Sequence, residues 1–288
     1  MKQEEWLYEI KPKTALIRLN FQEIWRYRDL LILFVKRDII TVYKQTILGP
    51  LWYLIQPLFT SVIFTLVFNG FGNIDTGGVN PFLFNLAGIT IWNYFRDCLN
   101  GTSNTFVQNA GIFGKVYFPR VIVPMSVTVS NVFKLGIQVL IFVVFYIYFA
   151  FKGGAGSPNE ALVLFPVYVV VMALIGLGAG MIISSATTKY RDLTVLVGFG
   201  VQLLMYISAV PYSLQEIQAS DKEWVQKALP IIEWNPLTQV IEGFRYMTIG
   251  VGSFDMGMLV YTCGIGVVVF LLGLIVFNRT ERSFIDTV

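Results

Sequence analysis

Six long apolar stretches dominate the chain: Leu51 to Phe68, Phe82 to Leu99, Val121 to Phe151, Ala161 to Ser185, Leu193 to Tyr212 and Met256 to Phe277. Each approaches or exceeds the roughly 20 residues a helix needs to cross a hydrocarbon core of about 30 Å. Together they take up 134 of the 288 residues, more than a water-soluble core buries in unbroken runs. Only 14% of residues are charged and the mean hydropathy is +0.65, against about a quarter charged in an ordinary soluble domain. The sequence therefore predicts an all-α integral membrane protein with six transmembrane helices. The first run begins after 50 mostly polar residues, so it is not expected to be a cleaved signal peptide.

Composition also narrows the chemistry. Histidine is absent, which removes the usual general base, the commonest zinc ligand and every Ser/His or Cys/His nucleophile pair. The two cysteines, Cys98 and Cys263, fall in apolar runs and support neither a disulfide framework nor a thiolate metal site. A net charge of +3 is too small for a nucleic-acid binder. No Walker A sequence is present. The nearest glycine pattern, Gly176, Gly178 and Gly180, lies inside an apolar run with no lysine behind it, and reads as small residues that let helices approach closely.

Basic residues set the orientation, because Lys and Arg beside a span are retained in the cytoplasm. Six spans put both termini on one side, which then holds fifteen Lys and Arg against four on the other. Both termini are expected in the cytoplasm, residues 1–50 as an N-terminal segment and 279–288 as a tail. Within 21–48, Leu31, Phe34, Val35, Ile39 and Val42 share one helical arc, with Lys36, Arg37 and Lys44 outside it. Leu33 and Ile40 point to the polar side, and two readings stay open: a helix lying in the membrane interface, or one docked on a partner. Gly49 and Pro50 break it before the first span. The outward connections 69–81 and 152–160 read as turns. The longer one, 213–254, offers a helix over Leu214 to Ala228 and another over Pro236 to Met247, opened by Asn235 as N-cap with proline first.

Arg96, Asp97 and Lys134 are the ionisable residues deepest in the apolar runs. With 1.5 Å of rise per residue, Arg96 lies roughly 21 Å from the outer end of the second run and Lys134 roughly 20 Å from the inner end of the third. An Asp97–Lys134 pair is geometrically possible; the alternative is that both helices outrun the bilayer and leave these groups solvated at its edge. Tyr43, Trp52, Tyr53, Trp92, Tyr94 and Phe95 cluster around the first two runs. They read either as an interfacial belt or as a wall of rings for sugars to slide along, with Trp52, Tyr53, Trp92, Tyr94 and Phe95 as candidate channel lining.

Several motifs occur in a fixed order: Arg37-Asp38, Tyr43-Lys44 and Leu48-Gly49-Pro50-Leu51-Trp52 leading to Pro57; Lys115-Val116-Tyr117-Phe118-Pro119-Arg120 with Pro124; Tyr190-Arg191-Asp192; Asn235-Pro236-Leu237 with Glu242 and Arg245; and the closing run from Glu281 to Val288. From about residue 25 to the last residue the chain resembles the membrane subunit of ABC-2 type polysaccharide exporters, the permeases for O-antigen, teichoic acid and capsule polymers. One departure is the end of the fifth run, Ser208-Ala209-Val210-Pro211-Tyr212, where such permeases often carry a Ser-Pro pair before an aromatic.

The resemblance implies a permease homodimer in the bacterial cytoplasmic (inner) membrane, with two copies of a separate ATPase that binds ATP and Mg, so that this chain holds no cofactor or metal and is not itself an enzyme. A polyprenyl-pyrophosphate-linked polysaccharide would pass between the permease copies. It also implies coupling to the ATPase through Lys115, Val116, Tyr117, Phe118, Pro119 and Arg120 and through Tyr190, Arg191 and Asp192. Arg37, Tyr43 and Lys44 would form an interface helix near the lipid pyrophosphate, and 213–254 would supply gate helices carrying Asn235, Pro236, Glu242 and Arg245. Two rivals remain: an ABC-2 exporter of a drug or small lipid, and a membrane glycosyl or acyl transferase, for which Asp192, Glu233, Glu242 and Asp255 form no recognisable set.

Overall fold

The computed structural model describes residues 25–44, 49–113, 115–116, 118–190 and 192–285, the side chains of 42, 43, 50 and 282–285 excepted. Tyr117, Arg191, the Tyr43 and Arg282 side chains and the stretches 1–24 and 286–288 thus lie outside the described residues. All regular structure among the described residues is helical. Helix α1 runs Arg28–Lys44, α2 Trp52–Phe64 with a π-helical continuation Thr65–Phe71, α3 Pro81–Ser103, α4 Thr105–Phe113 and α5 Ile122–Phe151. Then follow α6 Phe165–Thr187, α7 Leu193–Ile207, α8 Leu214–Gln218, α9 Glu223–Glu233, α10 Pro236–Ile249 and α11 Met256–Ile285.

Four segments are long and apolar enough to cross a bilayer: Trp52–Phe71, Ile122–Phe151, Glu160–Thr187 and Met256–Glu281. They correspond to the first, third, fourth and sixth expected runs. The other two expected spans depart from that pattern for different reasons. Helix α3 carries Asn85, Asn93, Arg96, Asp97 and Asn100 and is the central helix, with most of its residues buried against α6, α5, α10 and α2. Protein rather than lipid covers it, so its polar side chains find protein partners, as in Asn85 Nδ2 donating to Asn69 Oδ1 at 2.8 Å and to Thr65 Oγ1 at 3.2 Å. The π-helical stretch carries both acceptors. Helix α7 stops after 15 residues at Ile207, since the chain turns at Ala209 with φ of 54°; at 1.5 Å per residue it is about 22 Å long, short of a full span.

Glycine decides how closely α6 packs. A Cβ on Gly176 would meet Cys98 Cβ of α3 at 2.9 Å and one on Gly180 would meet Thr102 Cβ of α3 at 2.6 Å, while one on Gly178 would meet the Val269 backbone of α11 at 2.6 Å. The three glycines thus face two neighbours, as expected for close helix approach.

The bundle has two distinguishable ends. One carries the loop residues 115–116 and 118–121 and receives α1, whose Phe34 ring lies 5.8 Å from Phe118, and the end of α11, where Arg120 Nη1 donates to Glu281 O at 3.1 Å. The first and last described helices therefore reach the same end. Between α1 and α2 the chain turns through a 3-10 stretch, Gly49–Leu51, opened by Gly49 at φ 48°, a conformation that favours glycine. The opposite end carries the turns 72–80 and 152–159, joined by Asn80 N donating to Gly154 O at 2.8 Å, together with α8–α10.

Candidate functional site

At the loop end, α1 presents two different faces. Phe34 is buried and Leu31, Val35 and Ile39 are half-buried, as the shared arc predicted, while Trp25, Ile32, Leu33 and Ile40 are exposed beside Lys36. The helix is therefore docked on its own chain's bundle and retains a mixed apolar and basic outer face. Arg37 turns toward Asp38, donating to Oδ1 from Nε at 2.9 Å and from Nη2 at 2.8 Å, and its guanidinium lies 4.7 Å from the Phe34 ring centroid. Lys44 is exposed in the last turn, where a cation meets the helix dipole favourably.

A groove of about 380 Å³ opens between α1, α2, α3, α4 and α5 at this end. Arg37 and Asp38 line one side; Tyr53, Asp97, Thr105, Gln108, Asn109, Ser130, Asn131 and Lys134 line the rest. The Asp97–Lys134 pair exists, at 3.9 Å, and Asp97 also accepts from Arg96 Nη2 at 2.9 Å. The Lys134 ammonium lies 5.3 Å from the Tyr53 ring centroid. Asp97 and Lys134 therefore meet at the wall of a polar groove rather than lying unpaired in lipid. Apart from Lys134, the polar lining of α4 and α5 was not singled out from the sequence. Its signal was there: Ser130, Asn131 and Lys134 interrupt an otherwise apolar run at helical spacing.

The two loops expected to couple to an ATPase lie at the same end. Lys115 and Val116 are exposed, Pro119 is half-buried, and Phe118 and Arg120 are buried. Phe118 sits between the Phe34 and Phe113 rings, at 5.8 and 5.9 Å. Arg120 also approaches Glu281 Oε1 at 3.8 Å and lies over Phe113. Part of the motif thus anchors the loop, and among its described residues Lys115 and Val116 are what it offers outward. Tyr190 and Asp192 are exposed, with the Lys189 ammonium 5.3 Å from the Tyr190 ring. Thr187 Oγ1 donates to Ser103 O at 3.0 Å, setting this turn beside the α3–α4 junction.

The candidate channel rings separate. Trp52 is 51% exposed and Tyr53 half-buried, whereas Trp92, Tyr94 and Phe95 are no more than 3% exposed. The sequence left these rings as an interfacial belt or a channel wall; the central position of α3 encloses the last three within the chain.

At the other end, Asn235 caps α10 as expected: its Oδ1 accepts from Leu237 N at 3.0 Å, Pro236 takes the first position, and Nδ2 reaches Ser208 Oγ at 3.0 Å. The helix expected over Leu214 to Ala228 is instead two, α8 and α9, because Ala219–Lys222 breaks it; Ser213 Oγ caps α8 by accepting from Glu216 N at 3.2 Å. Glu242 and Arg245 are fully buried, one turn apart on α10. Arg245 Nη1 donates to Glu242 Oε1 at 3.0 Å, Ala209 O at 2.9 Å and Tyr212 O at 3.0 Å, and Nη2 donates to Val210 O. Its guanidinium lies 3.8 Å from the Phe84 ring centroid, and a Cβ on Gly88 would come within 2.5 Å of Nη2. Burial pushes the Glu242 carboxyl above and the Arg245 guanidinium below their ordinary values, each opposed by the other's charge. The arginine thus closes the corner after α7, where the sequence departs from the Ser-Pro pattern.

Comparison with known proteins follows the same outline. The ABC-2 type transporter family matches residues 29–249. An "O-antigen export system permease protein RfbA" from Klebsiella pneumoniae is 26% identical over 259 residues, covering 90% of this chain and 94% of the relative. A protein of the same name from Myxococcus xanthus is 23% identical over 273 residues, covering 95% of this chain and 100% of the relative.

Proposed function

Because the chain belongs to the ABC-2 type transporter family, we propose that it is the permease subunit of an exporter moving polyprenyl-pyrophosphate-linked polysaccharide, of the O-antigen type, across the bacterial cytoplasmic membrane. The observation that carries this reading is the near end-to-end likeness to O-antigen export permeases. Membership of the family alone does not separate polymer export from export of a drug or small lipid.

ATP hydrolysis belongs to a separate subunit, which holds the nucleotide and Mg. That subunit docks at the loop end, which is cytoplasmic: Lys115, Val116, Tyr190 and Asp192 are exposed there, and fifteen of the chain's basic residues fall on that side of a six-span topology. In that topology α3 and α7 complete the six spans, inside a homodimer. Support for the dimer comes from α7, a short helix with Val195 80% and Phe199 60% exposed and open space around Gly198 and Gly200. A second copy packed there covers what a lipid layer of full thickness does not match. Between the copies, Trp52 and Tyr53 remain as ring-bearing lining, and α8–α10 form the gate at the outer end. The outer face of α1 lies in the membrane interface, with the exposed Lys44 drawing the lipid pyrophosphate to the cytoplasmic surface, while Arg37 is held by Asp38.

Deletion of the gene in its host, with complementation, tests the function. Surface polymer is lost, lipid-linked polymer accumulates inside the cell, and the chain restores export only together with its ATPase. Normal surface polymer after deletion overturns the reading; normal polymer with failure to extrude a drug or small lipid moves it to the rival exporter class.

A further inference from the structure

The groove at the loop end has a composition that selects among ligands. Its volume of about 380 Å³ falls within the roughly 300–1,000 Å³ of small-molecule sites. Its charges are balanced within the wall: Arg37 is engaged by Asp38 at 2.8 Å and Lys134 faces Asp97 at 3.9 Å, all four groups lining the same space. A phosphate or pyrophosphate entering it meets two carboxylates along with two cations those carboxylates already offset, so the groove has little net attraction for an anion.

What the wall offers instead is hydrogen-bonding capacity in both senses. The exposed Gln108 amide both donates and accepts; Thr105, Asn109 and Ser130, which give hydrogens to the Thr102, Thr105 and Val127 carbonyls, present their side-chain oxygens as acceptors, and Asp97 adds a carboxylate, beside the Tyr53 ring. Gln108 is exposed on the outer turn of α4, where its side chain is available to a ligand. A pyranose matches such a wall: each of its hydroxyls both donates and accepts, and its ring carries apolar C–H faces that suit an aromatic neighbour.

We infer that this groove binds the sugar nearest the lipid phosphate, so that the permease itself reads the reducing end of the polymer before export. The inference rests on the reading that the polymer travels on a polyprenyl pyrophosphate held beside α1. Lys44 lies seven residues beyond Arg37, about 10 Å along the helix axis. The groove opens at Arg37, Asp38 and Ile39 of the same helix, about two turns from a pyrophosphate held at Lys44. A site built to pair hydroxyls rejects a ligand that lacks them, because its own polar groups are then left unpaired. The bare carrier lipid is therefore a poor occupant.

The test uses the detergent-solubilised complex of this chain with its ATPase. Two probes are offered, a polyprenyl pyrophosphate and the same carrier bearing one N-acetylhexosamine, and bound lipid is counted by native mass spectrometry. The sugar-bearing probe binds about tenfold more tightly than the bare carrier, the scale of one to three net hydrogen bonds. Gln108→Ala, at an exposed position, lowers that preference about threefold; adding Asp97→Asn nearly abolishes it. Lys44→Gln weakens both probes alike and leaves the preference intact. Equal binding of the two probes by the unaltered complex, or a preference unchanged in both groove variants, overturns the sugar site. Failure of the unaltered complex to bind either probe overturns the lipid-carrier reading on which it rests.

Discussion

Arg245 shows how one side chain closes the end of the bundle opposite the loop end. Its guanidinium takes three backbone carbonyls, those of Ala209, Val210 and Tyr212, and pairs with Glu242 in a niche kept open by Gly88. A planar fork meets that many acceptors at once; a lysine ammonium does not. Arg245→Ala leaves a buried carboxylate and three carbonyls without their partner, and thermal unfolding of the purified protein should show a loss of about 3–5 kcal/mol. Arg245→Lys, which keeps the charge and loses the fork, should cost about 2 kcal/mol. Equal stability of the lysine variant and the parent would mean that charge alone holds the corner. At the loop end two residues of one motif separate by burial. Arg120→Gln should lower the unfolding temperature, because Arg120 ties the loop to Glu281. Lys115→Glu should leave it unchanged and cut ATP-driven export severalfold, because Lys115 is exposed on the face assigned to the ATPase. An export defect of the Lys115 variant that tracks a fall in unfolding temperature would remove the coupling role.

Among the elements, α6 makes the close contacts that set the shape of the bundle. Gly178→Ala drives a methyl into the Val269 backbone, a backbone that cannot yield as a side chain tip does, and a loss of about 1–3 kcal/mol is expected in the same unfolding measurement. Gly264→Ala on α11, where nothing lies within 4 Å, is the control and should be neutral. Much of this level was legible in the sequence. The glycine spacing on α6 pointed to close helix packing, Asn235-Pro236 marked the start of α10, and Gly49-Pro50 marked the turn that leads into α2. The misreadings have one physical origin. Hydropathy reports that a residue avoids water and does not say whether lipid or protein covers it. Trp92, Tyr94 and Phe95 could therefore be read as a belt or as an accessible wall, whereas α3 at the centre buries all three. The same blindness hid the groove, since Gln108, Asn109 and Ser130 come together only when α4 and α5 pack beside α1. The end of α7 depended on Ala209 adopting a left-handed turn, held by an arginine 36 residues further on.

For the whole molecule, the architecture joins one end suited to a soluble partner to another closed by a buried ion pair. The described residues of the loop 115–121, the turn 188–190, α1 and the end of α11 all meet at the first. The second is built from the corner after α7 and α8–α10, and α3, α6 and α5 run between them. Continuous packed helices thus connect the two ends. Purified permease and ATPase reconstituted in proteoliposomes, with lipid-linked polysaccharide supplied on the side of the ATPase, provide the most direct measurement. Polymer should appear on the opposite side only with hydrolysable ATP and both subunits present. ATP-driven transport by the ATPase without this chain, or no polymer transport by the intact pair under conditions where ATP is hydrolysed, would contradict its assignment as the polysaccharide permease.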